Sequence, residues 1–184
     1  KIIELFKTGQ NKQAFDLGNQ YVDQIKKKFQ AAKIINADEI TFLVNQGVVS
    51  KQVKEYKAAR DILNLAIECK AKTAPPGDPL FVSIYKTLAD IYLAMKDFKA
   101  GEDSYMKAIK AKEAGVGTEH AEVVPLYIGL AGFYQGFEKS DLASDTFQKA
   151  LQISKAKNVE EDSKTGDVYY RLGEFYFSQK NYDE

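Results

Sequence analysis

Leu88–Ile109 reads LADIYLAMKDFKAGEDSYMKAI, and Leu130–Leu151 reads LAGFYQGFEKSDLASDTFQKAL. The second stretch starts 42 residues after the first and keeps its pattern. Leu88, Leu130 and Leu172 stand 42 apart, each followed by a small residue: Ala89, Ala131 or Gly173. Tyr92, Tyr134 and Tyr176 keep the same step. So do Ala66, Ala108 and Ala150, followed by Ile67, Ile109 and Leu151. Tyr56, Phe98 and Tyr182 fall on it too, with Ser140 in the slot between. This density of coincidences at one spacing marks an internal repeat, a feature that decides the fold before any single motif does.

Inside each unit the apolar residues have helical spacing. Tyr85, Leu88, Ala89 and Tyr92 lie on one face of a first helix, and Phe98, Gly101, Tyr105, Ala108 and Ile109 on one face of a second. Tyr127, Leu130, Ala131 and Tyr134, then Ala143, Phe147, Ala150 and Leu151, repeat both faces. Short connections, Met95-Lys96-Asp97 and Gln179-Lys180-Asn181, join the helices of a pair. Small residues sit where helices must approach, with large aromatics beside them. A lone pair cannot bury such a face, so neighbouring pairs must stack.

These residues resemble the tetratricopeptide repeat: Leu-small-x-x-Tyr on helix A, then a small residue, an aromatic and an Ala on helix B. The usual unit is about 34 residues; the longer step, with a short Gly- and His-containing link such as GVGTEHAEV, is similar to the kinesin light chain-like branch of that family. The resemblance implies an all-α fold, a right-handed α-solenoid of antiparallel helix pairs. It is strong from Tyr56 onward. A third unit opens with Tyr169, Leu172, Gly173 and Tyr176 and stops at Glu184, so the chain is expected to be a piece of a longer protein.

The amino-terminal part keeps the register less well. Lys54–Lys70 makes a good helix B, with Tyr56, Ala59, Leu63, Ala66 and Ile67 in place. Its helix A, about Ile40 to Ser50, retains Gly47 but has Gln46 and Ser50 where Leu and Tyr belong. Asn36 with Glu39 three residues on reads as a capping box. Ala14, Tyr21, Val22, Ile25 and Phe29 describe an earlier amphipathic helix, a candidate helix B, although Ala14 lies 45 residues before Ala59. The expected division is therefore a helical segment over 1–35 and an array over 36–184, with units at 36–77, 78–119, 120–161 and a truncated 162–184. Asp78 as N-cap with Pro79 at the first helical position launches a helix. Pro125 is tolerable only where its helix starts late or bends.

Composition narrows the function. The 184 residues are 45% hydrophobic, enough to build a core, and carry 26 Lys plus Arg against 26 Asp plus Glu. Zero net charge argues against a nucleic-acid binder. The single Cys69 makes no internal disulfide, and no apolar run is long enough to span a membrane. His120 is alone and cannot build a zinc site; it reads as a solvated or loop-capping residue. Cys69 reads as a packing residue. GVG at 115–117 follows a helix rather than a strand and lacks a third glycine, which fails the nucleotide-loop test. The acidic run Lys157–Asp167 does not match a calcium loop, and Lys26-Lys27-Lys28 is too short to claim phosphate. No catalytic set converges, so no enzyme, metal or cofactor is expected.

In the family that the repeats resemble, the A helices line a concave groove where partners dock. Carried over by position, the groove residues are Ser83, Lys86, Asp90, Leu93 and Ala94, then Ile128, Gly132, Gln135 and Gly136, then Tyr170, Glu174, Phe177 and Ser178. Tyr170 and Phe177 are the expected apolar anchors, with Lys86 and Glu174 setting polarity. Chaperone-binding members clamp a terminal carboxylate with a Lys and, four residues on, an Asn; Asp90 and Glu174 would repel that carboxylate, so no such clamp is expected. The expected function is a scaffold or adaptor that binds a protein or peptide, with no nucleic-acid and no membrane partner. The alternative is an architectural spacer in a cytoskeletal or ciliary assembly. The expected location is cytoplasmic, the cytoskeletal setting being implied by the resemblance alone. A peptide-sensing regulator would need a DNA-reading helix pair, which Lys1–Gln30 does not provide.

Overall fold

The computed structural model describes residues 4–5, 8–118, 120–156 and 163–178. The connection Gln179–Asn181, Tyr182 and most of the acidic link, residues 157–162, lie outside the described residues. Among those described, the chain is all α-helix apart from loops and one 3₁₀ turn. It divides into two compact units, residues 1–75 and 76–184. The first holds α1 (Asn11–Gln30), α2 (Ala37–Gln52) and α3 (Tyr56–Ala71). The second holds α4 (Pro79–Ala94), α5 (Phe98–Val116), a 3₁₀ turn (Ala121–Val123), α6 (Val124–Gly136), α7 (Ser140–Ala156) and α8 (Ser163–Ser178).

The pairs α2–α3, α4–α5 and α6–α7 are hairpins closed by the same device. Lys54, Lys96 and Glu138 each adopt a left-handed backbone, with φ of 64°, 58° and 56°. The amides that follow, of Glu55, Asp97 and Lys139, donate to the carbonyls of Ser50, Tyr92 and Tyr134 at 2.9 Å in every case. This is the helix-ending bond pattern that glycine commonly serves; here lysine or glutamate bears the left-handed strain. The 42-residue step is thus kept in the backbone of both units, including the pair whose helix A departs from the side-chain pattern. The Asn36–Glu39 capping box is present, with bonds of 2.8 and 2.9 Å. Asp78 caps α4 through the amide of Leu80 at 2.9 Å. Pro125 sits in the first turn of a helix that starts late, after the 3₁₀ turn.

In the first unit Gln46 occupies the place of the expected leucine and is 2% exposed. Its amide donates to the Phe15 carbonyl at 3.0 Å and to Asn19 Oδ1 at 3.2 Å, tying α2 to α1. Gly18 makes that possible: a Cβ there would lie 2.0 Å from Gln46 Oε1. Ser50, where tyrosine was expected, is fully buried and donates to the Gln46 carbonyl at 2.8 Å. The sequence departures are therefore a substitute polar junction whose buried groups are bonded, as burial demands. Lys28 closes the same junction, reaching both Glu39 oxygens at 2.8 and 2.7 Å. One lysine of the basic run is accordingly spent within the fold. The bond from Lys28 holds the Glu39 carboxyl below its usual range against the opposing effect of burial.

In the second unit the hairpins interlock through helix B of one pair and helix A of the next. Phe133 on α6 lies over Gly101 on α5, where a Cβ would come within 2.4 Å of the ring. Its ring centroid is 5.7 Å from that of Tyr105, and one step later Phe175 stands 5.6 Å from Phe147. The Tyr134 hydroxyl donates to Glu102 at 2.7 Å, and one step later Tyr176 and Ser144 share a bond of 3.0 Å. Phe98 also stacks on Phe133 at 5.9 Å, crowding it against the glycine. The next repeat has the smaller Ser140 in that slot and accepts Ala143.

Two outcomes test this packing. Gly101→Ala should lower urea stability by about 1 kcal/mol, because overpacking at the ring outweighs alanine's better helix propensity. In a Phe133→Leu background the same change should be neutral or stabilising, and an equal cost in both backgrounds would contradict the contact. Glu39 has a lowered folded-state pKa, so its stabilising effect is complete above the ordinary carboxylate range and is lost as pH falls through the lowered value. Glu39→Gln should then cost about 1–3 kcal/mol at neutral pH and much less in acid, measured by denaturation across pH.

Candidate interaction face

Helices α4, α6 and α8 are the A helices of the second unit, and α6 touches both of the others. The sequence-expected groove residues fall into three groups there. Lys86 and Ser83 are exposed on α4, while Asp90 is half-buried. Burial, with the Asp90 charge adding to it, pushes the Tyr105 phenol up to about 12. Leu93 and Ile128 are half-buried and packed against the aromatic core; Leu93 also lies against Gly136. These two side chains are largely committed to packing. On α8 the exposure is high: Tyr170 is 61% and Phe177 70% exposed.

Between those ends α6 is nearly bare. Gly132, Gln135 and Gly136 are exposed, and a Cβ on Gly132 would meet nothing within 4 Å. A ligand can approach the helix backbone there without displacing a side chain. Positional carry-over placed Gly132 and Gly136 on the face but did not reveal this openness, which depends on what the neighbours leave unfilled.

Glu174, expected to set register, is engaged locally. Arg171 Nη1 donates to its Oε2 at 3.3 Å, and the Arg171 guanidinium lies 5.8 Å from the Tyr170 ring centroid. The Tyr170 hydroxyl bonds to Glu174, which raises the phenol above its usual range. Tyr169 beside it carries the Lys155 ammonium 5.6 Å from its ring. The α4 end thus offers a lysine and a half-buried aspartate, the centre a low-relief strip, and the α8 end aromatics with a mixed-charge fringe.

Chemistry of other kinds finds little here. Cys69 is 2% exposed, and burial pushes its thiol up to about 11, which disfavours the reactive thiolate. His120 Nδ1 accepts from the Glu122 amide at 3.3 Å, capping the 3₁₀ turn. Among the described residues no group of three or more His, Cys, Asp or Glu could hold a metal ion, and no helix is long and apolar enough to cross a membrane.

The repeat step, the hairpins and the interlocking positions coincide with a family model, tetratricopeptide repeat, over residues 80–156. Residues 80–156 are tetratricopeptide repeats. Solved structures follow the chain almost end to end. BtubC (BKLC) from P. vanneervenii superposes with a TM-score of 0.72 at 19% identity, covering 98% of this chain and 71% of that one. The nearly identical TPR-like repeats of a Podosopora anserina kinesin light chain-type protein give 0.73 at 17%, covering 98% and 84%. MamA from MSR-1 gives 0.52 at 15%, covering 100% and 85%. At such identities these likenesses speak for the fold alone, a solenoid of helix pairs. No curated protein sequence matches the chain. Tetratricopeptide repeats support a protein–protein interaction module as the functional class, and proteins built from them are typically not enzymes.

The Tyr170–Glu174 bond yields a direct check. Glu174→Gln removes the carboxylate that holds the phenolic proton, so the Tyr170 pKa should fall toward the ordinary tyrosine value in a carbon-13 NMR titration. An unchanged titration would remove Glu174 from the description of this face.

Proposed function

We propose that the chain is a scaffold or adaptor module that binds a peptide or partner helix along the A-helix face of its second unit. One observation carries the reading: α6, with a glycine strip open at Gly132, and α8, with the exposed aromatics Tyr170 and Phe177, are helices in contact. Rings standing on a packed helix are anchors already partly fixed, so little ordering is spent on the receptor side when they are covered. Aromatic residues of this kind dominate binding energy where they are buried, at about 2 kcal/mol or more each. Lys86 at the other side favours an acidic or carbonyl-rich portion of the ligand. The array over 36–184, its four-unit division, and a cytoplasmic setting belong to the same proposal.

The architectural reading, a spacer in a cytoskeletal or ciliary assembly, makes the opposite prediction about the same residues. Two variants separate them. Gly132→Leu fills the strip at a position with open space, so the fold should be kept or slightly stabilised by alanine-like helix propensity, about 1 kcal/mol over glycine. Lys86→Ala, Tyr170→Ala, Phe177→Ala removes the anchors. Both should lose a partner that wild type retains from native extract, and retention by both folded variants would refute groove binding.

A further inference from the structure

We propose that the first unit carries a second docking site, on its B-type helices α1 and α3, for a short basic amphipathic helix. The two helices flank an open groove of ≈ 490 Å³, in the size range of real binding clefts. Its walls have helical spacing on both sides. From α1 come Asn19, Val22, Asp23 and Lys26, at i, i+3, i+4 and i+7. From α3 come Ala58, Asp61, Ile62 and Leu65, with the same offsets, joined by Asn64 and Glu68. Each wall is thus one face of one helix, and the trough between two such ridges is the shape that receives a third helix. The α3 wall runs from Ala58 to Glu68, eleven residues at about 1.5 Å each, which sets the occupant at about three turns.

The floor and the rim determine what that helix must carry. Val22 and Ile62 are 7% and 6% exposed, and Ala58 and Leu65 are half-buried above them, so the bottom of the groove is aliphatic. A leucine or isoleucine on the incoming face would extend this floor. The rim has three carboxylates, Asp23, Asp61 and Glu68, against one cation, Lys26. Arg60 neutralises Asp61 at 2.8 Å, leaving Asp23 and Glu68 on opposite walls as the acidic pair a ligand would meet. Charge complementarity therefore selects lysine or arginine on both sides of the apolar stripe, and it disfavours an acidic helix of the same shape. The site is on other helices than the A-helix face, so the two readings stand or fall separately.

The test uses the whole chain and a fluorescein-labelled helical peptide of about three turns, made of leucine, alanine and lysine with leucines at helical spacing. A twin peptide has glutamate for every lysine. Fluorescence anisotropy should show the basic peptide binding and the acidic twin at least about tenfold weaker. Asp23→Lys with Glu68→Lys should weaken the basic peptide about tenfold, and the milder Asp23→Asn with Glu68→Gln should fall between, with circular dichroism confirming that each variant is folded. Amide shifts on binding should fall on α1 and α3. Failure of the basic peptide to bind, equal binding of the twin, indifference to both double variants, or shifts confined to α4, α6 and α8 would each overturn the proposal.

Discussion

The second unit depends on one contact: an aromatic ring from helix A of one pair filling the hollow left by a small residue on helix B of the pair before it. Phe133 against Gly101 is the tightest instance, and one step on Phe175 and Ala143 hold the same two positions within one core cluster. Helix pairs of this size cannot bury their apolar faces alone, so the stability of each is largely an interface term with its neighbour. The tyrosine that follows each ring adds a hydrogen bond back to the same helix B, Tyr134 to Glu102 and Tyr176 with Ser144. Ring and hydroxyl together fix both the spacing and the angle of successive A helices. The outer face of those helices, where Tyr170, Phe177 and the glycine strip lie, is positioned by the contacts behind it.

The first unit meets the same requirement by different chemistry. Its junction is polar: Gln46 reaches across Gly18 to the backbone of α1, and Lys28 returns to Glu39 at the start of α2. A buried amide leaves no tolerance for a missing partner, which makes such a junction more exacting in register than an aliphatic one. It also explains how α1 lies 45 rather than 42 residues before its counterpart α3 and still packs against α2.

Much of this was legible in the sequence, and the reasons differ by element. The helix pairs follow from the 42-residue step, because a repeat reports the same local solution several times. The capping box, the Asp78 cap and the late start at Pro125 were legible because capping is a matter of a few adjacent residues. The polar junction was not, since Gln46 reads as a defect until Phe15, Asn19 and Gly18 are known to lie beside it. The left-handed turns were also hidden, as no glycine marks Lys54, Lys96 or Glu138. On the A-helix face, positions could be carried over but exposure could not. Leu93 and Ile128 are drawn into the core by neighbours, and Glu174 is held by Arg171, a pairing that spacing permits without requiring. The acidic groove on α1 and α3 has no single-segment signature, because its two walls come from stretches some forty residues apart.

The central claim is that adjacent helix pairs of the second unit are one cooperative body through the ring-and-hollow contact. Native-state hydrogen exchange on Phe133→Ala tests it most directly. The account predicts that protection falls together in α4, α5, α6 and α7, because removing the ring uncouples both pairs and each loses its interface. Loss confined to α6 and α7, with α4 and α5 exchanging as in the wild type, would contradict it.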